Sequence, residues 1–301
     1  MNCLPLEVLG DQIAAKFPDM LVLGKTELVR VNGEFPFGSP GTLFKIPFWN
    51  RITGFADMLE NTPLSTNNIT SASETATVVR GGAAWEVLDT AQLVSMSDPA
   101  GEISSQIARR AAEFIDAKLV AQCDLTPNNF DQNSSAVWTN TAGTLDQNAI
   151  IKAMTSKLGD NHVKLLQGGW IIMHSKVYGE LLQTGAIQNQ YQSSLNGQGN
   201  VILGGVLPMI AGLKIHVSDR VTSNTISSVQ QYKTYLVAPE SLALFYQREV
   251  QVEFDRDILN KSDVISADVH FAPHLYGYDD ATASVVAQDN KSIAVVRINT
   301  I

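Results

Sequence analysis

The sequence predicts an α+β protein. An apolar stripe at helical spacing runs from residue 98 to 123, β-rich runs recur from residue 42 to the last residues, and no fixed repeat marks a solenoid or propeller. With a hydrophobic fraction of 45% over 301 residues, the chain can bury one large core or two ordinary ones.

Residues 1 to about 35 give discontinuous signals broken by Pro5, Gly10, Pro18 and Gly24, and read as an arm with one short helix over Leu6–Phe17. Thr42-Leu43-Phe44-Lys45-Ile46-Pro47-Phe48-Trp49 follows a turn signal and is a strand. Pro47 cannot donate a ladder hydrogen bond, which places that strand at an edge. After a polar stretch from Asn61 to Ser73, Glu74–Arg80 supplies the return strand of a long hairpin. An isolated two-stranded hairpin is marginally stable in water, so this one must lie on something. Phe44, Ile46, Phe48 and Val78 are expected to form its contact with a neighbouring subunit, because the strand lacks an internal core of its own.

Asp98 and Pro99 then make a good helix start. Ile103, Ile107, Ala111, Phe114, Ile115, Leu119 and Cys123 form one apolar stripe. Glu102, Gln106, Arg109, Glu113 and Asp116 fall on the opposite, polar side. Thr144-Leu145-Asp146-Gln147 has the spacing of a capping box before Ile150, Ile151, Met154 and Leu158. Trp170–Met173 is a short buried strand, and Ser175 caps a helix carrying Val177, Tyr178, Leu181 and Leu182. Residues 185 to 205, rich in Gly, Gln and Asn, form a long polar loop. Strands are expected over Ala211–Ser218, Tyr232–Val237, the alternating segment around Val250, Val252 and Phe254, Ala267–Phe271 and Ser292–Ile298.

Composition narrows the function. Thirty acidic against 21 basic side chains leave a formal charge of −9, the opposite of what neutralising phosphates requires. Charged residues make up 17% of the chain, below the roughly 25% of ordinary domains. Interface cores are depleted in charge, so this composition points to extensive subunit contacts, with lineage-specific usage as the plain alternative. Cys3 and Cys123 suffice for neither a disulfide framework nor a thiolate metal site, and a reducing compartment fits. No basic n-region opens the chain and no apolar run approaches the roughly 20 residues that span a bilayer, so neither a signal peptide nor a membrane partner is expected.

The chemical motifs are incomplete. Gly24-Lys25-Thr26 lacks the rest of a phosphate loop, because Asp19 stands where a glycine would. Gly197-Gln198-Gly199 is half a dinucleotide fingerprint inside a polar loop. His270 and His274 on a strand are held about 13 Å apart, too far to share an ion. Glu253, Asp255 and Asp257 share one strand face about 6.6 Å apart, a spacing that suits glycoside hydrolysis. A solvated or salt-bridged acidic row is the preferred reading, since the sequence indicates no pocket or raised-pKa environment around them. Trp85 and Trp138 could stack on sugars, but isolated tryptophans pack cores more often. No catalytic residue, metal site or cofactor is therefore assigned.

The order of parts is more informative than any motif. Gly41–Pro47, Thr75–Val78 with Gly81-Gly82-Ala83-Ala84-Trp85, Asp98-Pro99 with Ile107-Ala108 and Asp116–Leu119, and Ile210–Ser218 together resemble the major capsid proteins of tailed bacteriophages. Their Hong Kong 97-type fold is shared with encapsulin shells. The resemblance spans residues 36 to 280 and implies an N-terminal arm (1–35) and an extended β-hairpin loop (36–97). It also implies a peripheral domain with a long spine helix (98–143 and 239–301) and an axial α/β domain (144–238). Ile103, Ile107, Phe114, Ile115 and Leu119 would be the spine-helix core, and Gln188, Asn189, Asn196 and Gly199 would lie in an axial loop.

Hexamers and pentamers in an icosahedral head would then enclose double-stranded DNA without sequence-specific binding. A separate scaffolding protein and a portal would be partners. Assembly would take place in the host cytoplasm, and the finished subunit would reside in the virion. An encapsulin-like shell, a fibre- or adhesin-type glycan-binding module and an enzyme built on Glu253–Asp257 stand as alternatives.

Overall fold

The computed structural model describes residues 6–24, 29–34, 41–49, 66, 68, 71–90, 99–124, 129–131, 145, 148, 150–151, 154–155, 162–183, 209–226, 229–239, 241–275 and 295–300. Its elements are α1 (Leu6–Met20), β1 (Val29–Glu34), β2 (Leu43–Trp49), β3 (Ser71–Thr77), β4 (Val79–Leu88), α2 (Pro99–Gln122) and β5 (Asn129–Asp131). They continue with α3 (His162–Leu166), β6 (Trp170–Met173), α4 (Ser175–Gln183), β7 (Met209–Ile210), β8 (Leu213–Val217) and β9 (Ser223–Ile226). The last four are β10 (Val229–Val237), β11 (Leu242–Asp257), β12 (Ser262–Leu275) and β13 (Val295–Thr300).

Mixed helix and sheet is the class expected, and it is arranged around one long helix. At 24 residues, α2 is about 36 Å long at the usual rise. Ile107, Ile115 and Leu119 are buried, and Ile103 and Phe114 pack partly buried against the same cluster. A four-stranded sheet in the order β1-β11-β12-β4 lies against this helix. Gly81 on β4 makes that approach possible, since a Cβ there would sit 2.3 Å from the Phe114 ring. Phe114 is in turn edge-on to Phe271 of β12, with ring centroids 5.8 Å apart.

The second sheet runs β5-β13-β10-β6-β8-β7, with β9 paired to β10. Its alternation feeds two clusters. Ile172, Tyr235 and Val237 face the α2 core, whereas Ile171, Met173 and Leu236 face a separate cluster with Val177, Leu181 and Leu213. Coverage on both faces explains why Trp170–Met173 is a continuous apolar run. The helix read from Ser175 and the strands read at Ala211–Ser218 and Tyr232–Val237 are present as α4, β8 and β10. Described positions 148, 150, 151, 154 and 155 of the helix expected after the capping box are helical.

The structure differs from the sequence reading in several places. Residues 1–35, read as an arm, include two elements built into the core: α1 buries Ile13 and Phe17, and β1 pairs in parallel with β11, Val29 opposite Leu242. The helix also runs through Pro18 to Met20. The return strand read at Glu74–Arg80 divides at Val78. β3 pairs with β2, and β4, placed with the hairpin at 36–97, instead pairs with β12 from Val79↔Phe271 to Leu88↔Ser262. Residues 295–300, read together with 239–294, pair instead with β10, a strand of the stretch read as 144–238, with Tyr232 opposite Thr300. Asp116, read as an outward polar residue, is only 4% exposed. It is buried because its carboxylate accepts the N–H groups of Val22 at 3.0 Å and Gly24 at 3.2 Å, which fasten the chain after α1 to the long helix.

Candidate functional site

The hairpin was the element expected to face another subunit. Its ladder runs from Leu43↔Thr77 to Trp49↔Ser71. Alternation turns Phe44 and Ile46 one way and Leu43, Lys45 and Pro47 the other. Phe44, Ile46 and Val78 are half-buried, packed on a small cluster of Ala76, Ala243, Phe245 and Ala272. The Phe44 and Phe245 rings are 4.8 Å apart. Three of the four expected contact residues thus have partners on their own chain, because the outer face of β11 and β12 carries apolar side chains at that end. Of Phe48, only its place in β2 is described.

The root carries a polar tie as well: Glu74 of β3 lies 2.9 Å from Nε2 of His274 on β12. His274, which the sequence placed too far from His270 to share an ion, is 7% exposed and pairs with Glu74. The outer face of the ladder is open, with Leu43 63% exposed.

Gln188, Asn189, Asn196 and Gly199 lie outside the described residues.

At the opposite end of β11 and β12 is a turn. Ile258 and Leu259 stand 70% and 94% exposed there, a pair that sequence periodicity does not mark because two adjacent apolar residues make no pattern. The acidic row beside them builds the turn. Asp257 accepts the N–H of Leu259 at 2.8 Å and of Asn260 at 3.1 Å, and these bonds hold its carboxyl below the usual range. Arg256 donates to Asp89 at 2.7 Å and to Asp263 at 2.6 Å. Hydrogen bonding from Arg256 likewise holds the Asp89 carboxyl low. Asp257 is thus committed to holding the turn, and the carboxylates that Arg256 pairs with are Asp89 and Asp263, outside the row of Glu253, Asp255 and Asp257.

A second constellation looks catalytic and is not arranged as such. Ser175 Oγ is 3.5 Å from His174 Nδ1, and His174 Nε2 is 3.7 Å from Asp219. Yet Nδ1 accepts the backbone N–H of Lys176 at 3.1 Å, so its lone pair is occupied and cannot take the serine proton. These residues cap α4 instead. Cys123 is buried and its thiol is pushed up to about 12, chiefly by desolvation, so it is an inert core residue. Among the described residues, no three His, Cys, Asp or Glu side chains are grouped to hold a metal ion. No described helix is long and apolar enough to cross a membrane.

Two cavities flank α2. One of about 210 Å³ opens between the helix and the four-stranded sheet, lined by Trp85, Ile107, Ala111, Phe114, Val250 and Val269, with Arg110 and Asp268 at its mouth. Arg80 and Arg248 both pair with Asp268. The other, of about 280 Å³, is polar and joins Val22, Asp116, His216, Asp219 and Arg220. Arg220 reaches Glu113 on the helix at 3.2 Å. Burial pushes the His216 imidazole below its ordinary range, against the pull of Asp116.

Comparison with known proteins supplies the context. Residues 56–286 match a family model described as phage capsid protein. The major capsid protein of Bacillus phage SPP1 is 25% identical over 249 residues, covering 79% of this chain and 71% of that protein. Among solved structures, an acidic stable capsid of Helicobacter pylori bacteriophage KHP30 superposes with a TM-score of 0.65 at 13% identity, covering 92% of this chain and 88% of the other. The capsid of Ralstonia phage GP4 gives 0.64 at 10% identity, with the same coverage. The cyanophage Pam1 capsid gives 0.63 at 13% identity, covering 99% and 94%. At such identities, these superpositions establish the shared fold.

Proposed function

The chain belongs to the phage capsid protein family, and from that premise we propose that it is the repeating subunit of an icosahedral head, assembled as hexamers and pentamers around double-stranded DNA. Capsid proteins of this family form shells and are part of the virion; the ring composition and the contents are our reading. The observation that carries it is the β2–β3 ladder. One face is fixed to its own sheet by Phe44, Ile46 and Val78. The other face is open, with Leu43 and Lys45 exposed. Such a ribbon is held at its root and has surface left for another copy. The subunit contact first assigned to Phe44, Ile46, Phe48 and Val78 therefore becomes indirect: these residues set the angle at which the hairpin leaves the molecule. A head-to-tail contact repeated by rotation closes rings, and many weak contacts hold each copy at once.

A charge of −9 suits a wall that encloses DNA without gripping it. A separate scaffolding protein, a portal and assembly in the host cytoplasm belong to the same reading, as does the absence of a catalytic role. The test is sedimentation and electron microscopy of the purified chain. Hollow megadalton particles are the expected result, and a monomer or dimer under all assembly conditions would overturn it.

A further inference from the structure

We propose that the turn between β11 and β12 inserts Ile258 and Leu259 into the apolar cavity beside α2 of a second copy of this chain. The proposal rests on the shell-building reading and adds to it a specific contact between copies.

A single exposed leucine needs no explanation. Here, however, two neighbouring apolar side chains project 70% and 94% exposed from a turn that is locked in place. Asp257 holds the N–H groups of Leu259 and Asn260. Arg256 bridges Asp89 and Asp263. The Asp89 N–H donates to the Lys261 carbonyl at 3.1 Å, which fastens the end of β4 to the turn. A turn already ordered loses little conformational entropy when it binds.

The receiving surface has matching character. Its cavity of about 210 Å³ exceeds the roughly 150 Å³ that accommodates a benzene-sized apolar guest. Charge is complementary too. Asp89, Asp255, Asp257 and Asp263 outnumber Arg256 and Lys261 around the turn, whereas Arg80, Arg110 and Arg248 outnumber Asp268 and Glu113 around the mouth. The insertion cannot occur within one molecule. The β4–β12 ladder pairs every residue from Gly82↔Asp268 to Leu88↔Ser262, so the turn is held past the end of the paired strands, about 10 Å beyond Trp85, and cannot fold back into its own cavity. A protrusion and a recess at different places on one surface make a heterologous contact, the kind that closes a ring or extends a lattice.

The test uses full-length chains carrying Cys3→Ser. Cys123 remains in place because it is buried. Subunits with Leu259→Cys are mixed with subunits carrying Ala111→Cys, assembled and mildly oxidised. A disulfide joining one of each is expected, and neither variant alone should give it. Separately, Leu259→Asp should raise the concentration needed for assembly at least tenfold while leaving the unfolding midpoint unchanged, because the residue is exposed. Links only between two Leu259→Cys subunits, or between Ala111→Cys and a Leu43→Cys hairpin, would overturn the proposal by showing another occupant. Normal assembly of Leu259→Asp would also overturn it while leaving the shell reading intact. If the unsubstituted chain fails to assemble, the shell reading falls and takes this contact with it.

Discussion

Gly81 shows how one missing atom sets the spacing between helix and sheet. A Cβ there would lie 2.3 Å from the Phe114 ring, and that ring is braced against Phe271. Gly81→Ala should therefore cost about 1–3 kcal/mol, the usual penalty for overpacking. Denaturant unfolding would measure it. Adding Phe114→Leu should recover part of the loss, since two residues in contact do not behave additively. The sequence displayed Gly81-Gly82 plainly but not what lay above them. Asp116 was misplaced for a related reason. It shares a helical side with Glu113 and Arg109, and only the chain returning after α1 brings the N–H groups of Val22 and Gly24 to it. Helical periodicity reports a residue's direction, and the neighbour it meets there is a tertiary fact.

Among the elements, the hairpin was legible strand by strand but not at its joint. The strand formers Thr77, Val78 and Val79 follow one another without a turn signal, so nothing local marks Val78, where the chain leaves one sheet for another. There the Val78 N–H donates to the Thr42 carbonyl at 2.9 Å, which closes the root of the hairpin. Three kinds of contact hold that root: this bond, the Glu74–His274 pair and the Phe44–Phe245 ring contact. Phe44→Ala should cost about 1–3 kcal/mol, below the figure for a fully buried phenylalanine because the ring is half-buried. The hairpin should yield before the core does, since its contacts are few. Limited proteolysis would then cut the Phe44→Ala hairpin several times faster than the unsubstituted one, under conditions where α2 stays protected.

Across the molecule, the class and the sequence of parts were readable because long periodic segments carry them, whereas sheet membership was not. β13 and β1 join sheets formed by residues far from them in the chain. The α2 core draws side chains from both sheets, and the polar junction beside it adds Glu113–Arg220 and the His216–Asp116 face. Burial lowers the His216 pKa, so as pH falls below about 6.5 the unfolded chain binds its proton first and stability declines. Burial opposes ionisation of Glu113, but Arg109, Arg220 and Arg110 outweigh it. That contribution persists above the ordinary glutamate range and is lost only in stronger acid. Unfolding midpoints measured from pH 7 to 5 should fall, and His216→Asn should flatten the slope in that window; an unchanged slope would assign the loss elsewhere. One further consequence follows from the parallel pairing of Val29 with Leu242. More than 200 residues must leave the ribosome before β1 has a partner, so the sheet cannot be completed on a half-made polypeptide. Translation itself thereby delays the moment at which a newborn subunit is fit to meet its siblings.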